Sequence, residues 1–258
     1  MTSLVDQIIF GPVHSRRLGL SLGVNLLPVE AKLCSFDCIY CECGWNAEHP
    51  AAGHRYPPRE AVRERLAATL QRMAEAGTPP DVITFAGNGE PTLHPDFEAI
   101  IGDTIALRDR WTPGAKVSVL TNATRIADAG VFRALLRVDN PILKLDSAFD
   151  ATVQRINRPQ NPAYGVRRVV EAMKQFAGEM ILQTMFLRGT CDGETVDNTT
   201  ETEVAAWLEL VAEIRPRQVM VYSLDRDTPC PTLEKVGRDA LQRIAARVEA
   251  LGIPCSVA

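Results

Sequence analysis

The 258-residue sequence has no run of about 18 apolar residues, so no segment reads as a membrane-spanning helix. Its opening, MTSLVDQIIFGPVHSRR, lacks a charged region followed by an apolar core and a cleavage site, and the expected location is the cytoplasm. A basic excess is missing too. The net charge is −4, which removes the global field behind non-specific nucleic-acid binding and leaves only a local basic patch open. No linker, low-complexity tract or charge block divides the chain. No cysteine precedes Cys34, yet four of the seven crowd into the ten residues from Cys34 to Cys43. Such crowding, in an odd total, suits a metal or redox site better than a disulfide framework.

What is present can fill a core: 46% of residues are hydrophobic, and the length suits one α/β barrel domain over residues 1–258. DVITFAG, KVSVLTN, PILKLDS, MILQTMFL and RQVMVYSL read as strands, with an earlier one over Leu20–Leu26. Helical stripes lie between and after them. Val62, Leu66, Leu70 and Met73 recur along residues 59–76, behind Pro57-Pro58 and ahead of Gly77. Residues 201–214 carry Val204, Leu208 and Val211, and residues 236–251 carry Leu241, Ile244, Val248 and Leu251. Apolar strands alternating with such helices imply parallel βα units. The expected architecture is therefore a partial (β/α)6 barrel of the TIM type, favoured over an open doubly wound sheet. In barrels the chemistry gathers at the C-terminal strand ends, where this chain has its cysteine cluster, GNGEP, TN, LDS and SLDRD.

Cys34, Cys38 and Cys41 form a Cys-x3-Cys-x2-Cys segment. Three thiolates bind three irons of a [4Fe–4S] cubane and leave the fourth open to a ligand, whereas an electron carrier normally closes its cluster with four cysteines. A structural zinc site completed by Cys43, His49 or His54 is the bland alternative. Cys43, one residue beyond Cys41 in separation, reads as a neighbour rather than a ligand.

The cysteine spacing, with Tyr40 before its last member, resembles the radical S-adenosylmethionine (SAM) superfamily. The resemblance implies that SAM chelates the open iron, that one electron from an external donor of flavodoxin or ferredoxin type cleaves it, and that a 5′-deoxyadenosyl radical abstracts substrate hydrogen. Gly87-Asn88-Gly89-Glu90-Pro91 is similar to the superfamily's GGEP motif, which meets the methionyl ammonium of SAM. Glycines let backbone approach a ligand, and Glu90 can accept a charge-assisted bond.

Thr121, Asn122, Asp146 and Ser147 end two successive strands and are candidates for the ribose hydroxyls or the methionyl carboxylate. Lys144 and Asp146 share a strand face, opposite Leu143 and Leu145. A charged pair there serves either a site or itself, so Lys144 is a candidate for the SAM carboxylate or a substrate anion, with an ion pair to Asp146 as the alternative. Gln183, Met185, Tyr222 and Leu224 are candidates to border the adenine.

Cys191, Cys230 and Cys255 show no paired spacing and read as inert buried thiols. Cys191 and Cys230 follow strands on the site's side, which makes each a candidate hydrogen donor to a substrate radical. The opening FGPVHSRRLGLSLGVN and GNGEPTLHPDF look like the subgroup around the wyosine-type tRNA enzymes, with Arg16 and Arg17 facing an anionic substrate or merely solvated. His14 and His94 read as structural. Two other classes stay open: an activating enzyme acting on a partner protein or peptide, and a non-enzymatic electron carrier or zinc scaffold.

Overall fold

The computed structural model describes residues 3–15 and 18–258, so Arg16 and Arg17 lie outside the described residues. The main sheet has eight strands: β1 (Ile9–Ser15), β2 (Gly19–Val24), β3 (Val82–Phe85), β4 (Lys116–Thr121), β5 (Asn140–Lys144), β6 (Ile181–Met185), β9 (Gln218–Tyr222) and β11 (Cys255–Val257). All six expected strands are there. β1 is an added antiparallel edge on β2, and β11 extends the parallel run beyond β9. A second sheet of three strands, β7 (Leu187–Cys191), β8 (Glu194–Asp197) and β10 (Leu233–Lys235), is antiparallel.

Strand order decides between barrel and doubly wound sheet. The parallel strands run β2-β3-β4-β5-β6-β9-β11 with no reversal, whereas a doubly wound sheet turns back at a switch point. The result is an α/β half-barrel. Helices α1 (Arg59–Glu75), α2 (Phe97–Trp111), α3 (Ala129–Leu135), α4 (Asp150–Ile156), α5 (Val166–Lys174), α6 (Glu201–Ile214) and α7 (Arg238–Glu249) connect the strands.

Alternation along each strand divides the faces. Leu22, Val24, Ile83, Phe85, Val117, Val119, Leu143, Leu182, Val219 and Val221 pack with Val62, Leu66, Leu70, Val204 and Val211 of the helices in one core. Each such side chain contributes roughly 1.5–3 kcal/mol. The other face is partly polar: Ser21 Oγ meets Thr84 Oγ1 at 2.8 Å, and Asn140 donates to Ser118 Oγ at 2.9 Å. A small plug of Ile142, Ile181 and Met220 packs with Leu18 and Leu120.

Local signals explain the helix limits. α6 begins where Thr200 Oγ1 accepts from Glu203 N at 3.3 Å, half of a capping box. α7 is shorter than its apolar stripe suggested. Val236 is held outside the helix by a 2.8 Å bond from its N–H to Ser223 Oγ, and Leu251 falls in the turn after it, 37% exposed. His94 is structural as expected: its ring meets Pro57 O at 2.9 Å and accepts from Asp96 N at 3.0 Å. Among the described residues no helix is long and apolar enough to cross a membrane.

Candidate active site

The cysteine loop follows β2 and is fixed on two sides. Toward β3, Leu33 N donates to Asn88 O at 2.9 Å and Glu90 N to Leu33 O at 3.0 Å. Toward α4, Asp37 N donates to Asn157 O and Ile39 N to Ile156 O, both at 2.9 Å. Two glycines permit the first contact. Gly87 (φ +149°) and Gly89 (φ +133°) hold conformations side chains rarely adopt, and a Cβ on Gly89 would collide with the Leu33 carbonyl.

Cys34, Cys38, Cys41 and Cys43 are free and partly buried, and donors surround the first three. Cys34 Sγ accepts from Phe36 N at 3.4 Å and Asn122 Nδ2 at 3.6 Å. Cys38 Sγ accepts from Asn157 Nδ2 at 3.4 Å. Burial pushes the Cys34 thiol up and Cys38 up to about 12. Cys41 is held down at about 6 by its hydrogen bond with Cys43, aided by the Lys32 ammonium. Cys43 is correspondingly pushed up, with its Sγ also 3.5 Å from Gly87 O. Three sulfurs met by N–H donors and a buried cation form a donor set that fits an anionic thiolate cluster. Among the described residues no three His, Cys, Asp or Glu converge on a single ion, and His54 instead lies 3.7 Å from Glu30.

Most candidates come together here. Glu90 Oε1 accepts from Thr92 N, Thr92 Oγ1 and Thr121 Oγ1 at 3.1, 2.5 and 2.7 Å, and Oε2 from Asn122 N at 2.7 Å. Burial pushes its carboxyl up against those four donors. Pro91 opens a 3-10 turn, Pro91–Leu93, behind it. Asn88 spends its side chain on Val5 and Pro28 backbone at 2.7 to 2.9 Å and is wholly buried.

Lys144 and Asp146 face the same way, as strand alternation requires. Lys144 Nζ lies 3.8 Å from Asp146 Oδ1, donates to Tyr222 Oη at 2.8 Å, and sits 5.0 Å from the Tyr40 ring centroid. Burial alone would lower its pKa, but Asp146 and Tyr222 outweigh that and raise it. Tyr40 donates to Asp146 Oδ2, which also accepts from Asn157 at 2.7 Å, while Oδ1 accepts from Met185 N at 2.9 Å. Gln183 is buried beside Lys144 in the strand register. Met185, Tyr222 and Leu224 pack with Ile39 and Tyr40 in a second apolar cluster. Leu224 also borders a cavity of about 710 Å³ with Glu48, Asp225, Asp227 and Lys235.

Ser147 donates to Glu203 Oε2 of α6 at 2.6 Å. One expectation requires correction. Cys191 and Cys230, read as separate thiols, are joined in a disulfide with Cα atoms 5.7 Å apart. In that state neither sulfur carries a hydrogen to donate. Their separation of 39 residues hid the pairing, because a crossover brings β7 and the β10 segment together.

Sequence reasoning missed Lys32, Asn25, Asn157 and Asn198. Lys32, two residues before Cys34 and 2% exposed, offered the signal of a charge beside thiols. The asparagines offered none. Asn25 accepts from Asn88 N at 3.2 Å, and Asn198 Nδ2 ties Asp146 O and Met185 O at 2.8 and 2.7 Å.

A half-barrel with a three-cysteine loop and a glycine–acid motif at its strand ends defines a class of SAM-dependent iron–sulfur enzymes. Residues 31–203 match the family model described as the Radical SAM superfamily, and the chain belongs to that superfamily. A UPF0026 protein of Synechocystis sp. is 32% identical over 276 residues, covering 95% of this chain and 94% of the relative. A radical SAM methyltransferase from Sphaerobacter thermophilus superposes with a TM-score of 0.68 at 17% identity, covering 92% of this chain and 65% of that one. TYW1 with a lysine-pyruvate adduct bound gives 0.60 at 16%, covering 89% and 73%. These two likenesses are of fold. Superfamily membership implies SAM, a [4Fe–4S] cluster and an external electron donor.

Proposed function

We propose that Cys34, Cys38 and Cys41 hold the [4Fe–4S] cluster and that residues 1–258 act as one radical SAM core domain. The observation that carries this reading is the seating of the three free thiols against Gly87–Pro91 through the Leu33–Gly89 bridge. When bound, a cluster with one open iron supplies the electron that cleaves SAM to methionine and a 5′-deoxyadenosyl radical.

The chain's own residues then bind and orient. Gly87 and Gly89 bring backbone carbonyls to the methionyl ammonium, and Glu90, fixed by Thr92, Thr121 and Asn122, adds negative charge beside it. Lys144 meets the methionyl carboxylate or a substrate anion, with Asp146 and Tyr222 holding its position. Gln183, Met185, Tyr222 and Leu224 border the adenine, with Tyr40 beneath. Asn88 and Ser147 support the cradle from outside it. A flavodoxin or ferredoxin delivers the electron.

Anaerobic reconstitution with iron and sulfide, then SAM and dithionite, tests this. About four irons per chain and 5′-deoxyadenosine are expected, and Ala at Cys34, Cys38 or Cys41 abolishes the product. Zinc in place of iron would overturn the reading. The likeness of FGPVHSRRLGLSLGVN and GNGEPTLHPDF to wyosine-type proteins supports tRNA as the first substrate to add. Release of 5′-deoxyadenosine stimulated by a partner protein or peptide instead would identify an activating enzyme.

A further inference from the structure

Cys34 and Cys38 are solvated differently by the protein. Cys34 has a backbone donor of its own loop, Phe36 N, as well as Asn122. For Cys38, the hydrogen bonds among the described residues include one donor, the side-chain amide of Asn157 at 3.4 Å. That amide cannot swing away. Asn157 is 1% exposed and caps α4, with its N–H on Val153 O at 2.7 Å and its carbonyl accepting Asp37 N at 2.9 Å from within the cysteine loop. The same Nδ2 also lies 2.7 Å from Asp146 Oδ2 and 3.0 Å from Tyr40 Oη, so one of its two hydrogens goes to the carboxylate and the other is shared between Cys38 Sγ and the phenol oxygen. It therefore stands where the buried Lys144–Asp146–Tyr40 network touches a thiolate.

A donor on a cluster thiolate stabilises the reduced, more negative state over the oxidised one, so hydrogen bonds to the sulfurs help set the potential. We propose that Asn157 is a positioning residue that raises the reduction potential of the cluster through Cys38. The proposal rests on the cluster assignment above. The residue touches neither SAM nor substrate in this reading; its effect is on how readily the electron is accepted.

The test is a redox titration of the reconstituted holoenzyme, followed by the EPR signal of the reduced cluster, for the wild type, Asn157→Ala, Asn157→Ser and Asn198→Ala. Asn198 is the control. It is equally buried and hydrogen-bonded to the same Asp146 and Met185 segment, with no bond to a cysteine. Asn157→Ala should lower the midpoint by about 59 mV, a tenfold shift in the one-electron equilibrium. Asn157→Ser, which keeps a shorter donor, should fall between, and Asn198→Ala should match the wild type. An unchanged midpoint in Asn157→Ala, or an equal fall in Asn198→Ala, overturns the proposal. Loss of iron from both Asn157 variants while Asn198→Ala keeps it makes Asn157 a retention residue and overturns it too. A wild type that assembles no cluster sinks the parent reading instead, so the two failures are distinct.

Discussion

Lys32 and Asp37 form an ion pair of 3.1 Å across the base of the cysteine loop, with the Lys32 side chain 1% exposed. The ammonium also donates to Gly44 O at 2.6 Å, and the same Asp37 oxygen accepts Asn46 N at 2.8 Å. Together these bonds close the chain into a ring from residue 32 to 46 around Cys34, Cys38 and Cys41. Replacing Lys32 by Met leaves a half-buried carboxylate and a carbonyl without their cation. The expected cost is about 1–3 kcal/mol, because the carbonyl and the partly buried carboxylate lose their charged donor. Urea unfolding of the apo protein measures it, and Lys32→Met with Asp37→Leu should regain part of the loss. A single variant as stable as the wild type would show that the pair does not hold the loop.

Gly89 makes a sharper case. Its φ of +133° and the closeness of the Leu33 carbonyl mean that a methyl group must displace backbone, not a mobile side chain. Gly89→Ala should destabilise the fold by more than about 2 kcal/mol and weaken SAM binding to the reconstituted protein at least tenfold by equilibrium dialysis. Gly53→Ala, with φ +83° but nothing within 4 Å of the added carbon, isolates the backbone strain and should leave SAM binding unchanged.

These two positions mark what could be seen in the chain beforehand. Gly89 lies in a local motif, and its short-range pattern fixed both the turn and its place at the end of β3. The strands were legible for the same reason: β-branched runs bounded by Gly, Asn or Asp have a local cause. Lys144 and Asp146 fell on one face because period-two alternation is local too. Asn157 and Asn198 were invisible because their importance comes from where α4 and β8 end in space, and nothing in the stretches INRPQN or ETVDN signals a sulfur or a carbonyl neighbour. The Cys191–Cys230 bond belongs to that second kind. It depends on the small antiparallel sheet, whose strands of three to five residues carry too little periodicity to be read.

That disulfide gives a direct count. The sequence has seven cysteines and the structure leaves five free. Thiol titration of the apo protein, denatured without reductant, should therefore find five groups per chain, rising to seven after reduction. Closing a loop of 39 residues contributes about 4 kcal/mol on the chain-entropy relation, so reduction or Cys191→Ser should lower the urea midpoint. Seven reactive thiols before reduction would refute the pairing.

Asp139 offers a test by pH away from the site. Burial alone would raise its pKa, but the Val117 amide at 2.8 Å, Arg108 at 2.9 Å and Lys116 at 3.3 Å donate to it and hold the carboxyl below its ordinary value of 3.8. The folded state thus binds this proton less tightly than the unfolded chain does. Its contribution is complete above the unfolded value and is lost as the pH falls through the folded one. Asp139→Asn should cost about 1 kcal/mol at pH 7, since the group is partly exposed and its ion pairs are screened. The gap between variant and wild type should then close as the pH is lowered below 3.8. Urea midpoints of both proteins from pH 7 downward decide it: a gap that stays constant would assign the loss to packing between α2, β4 and β5 rather than to the carboxylate's charge.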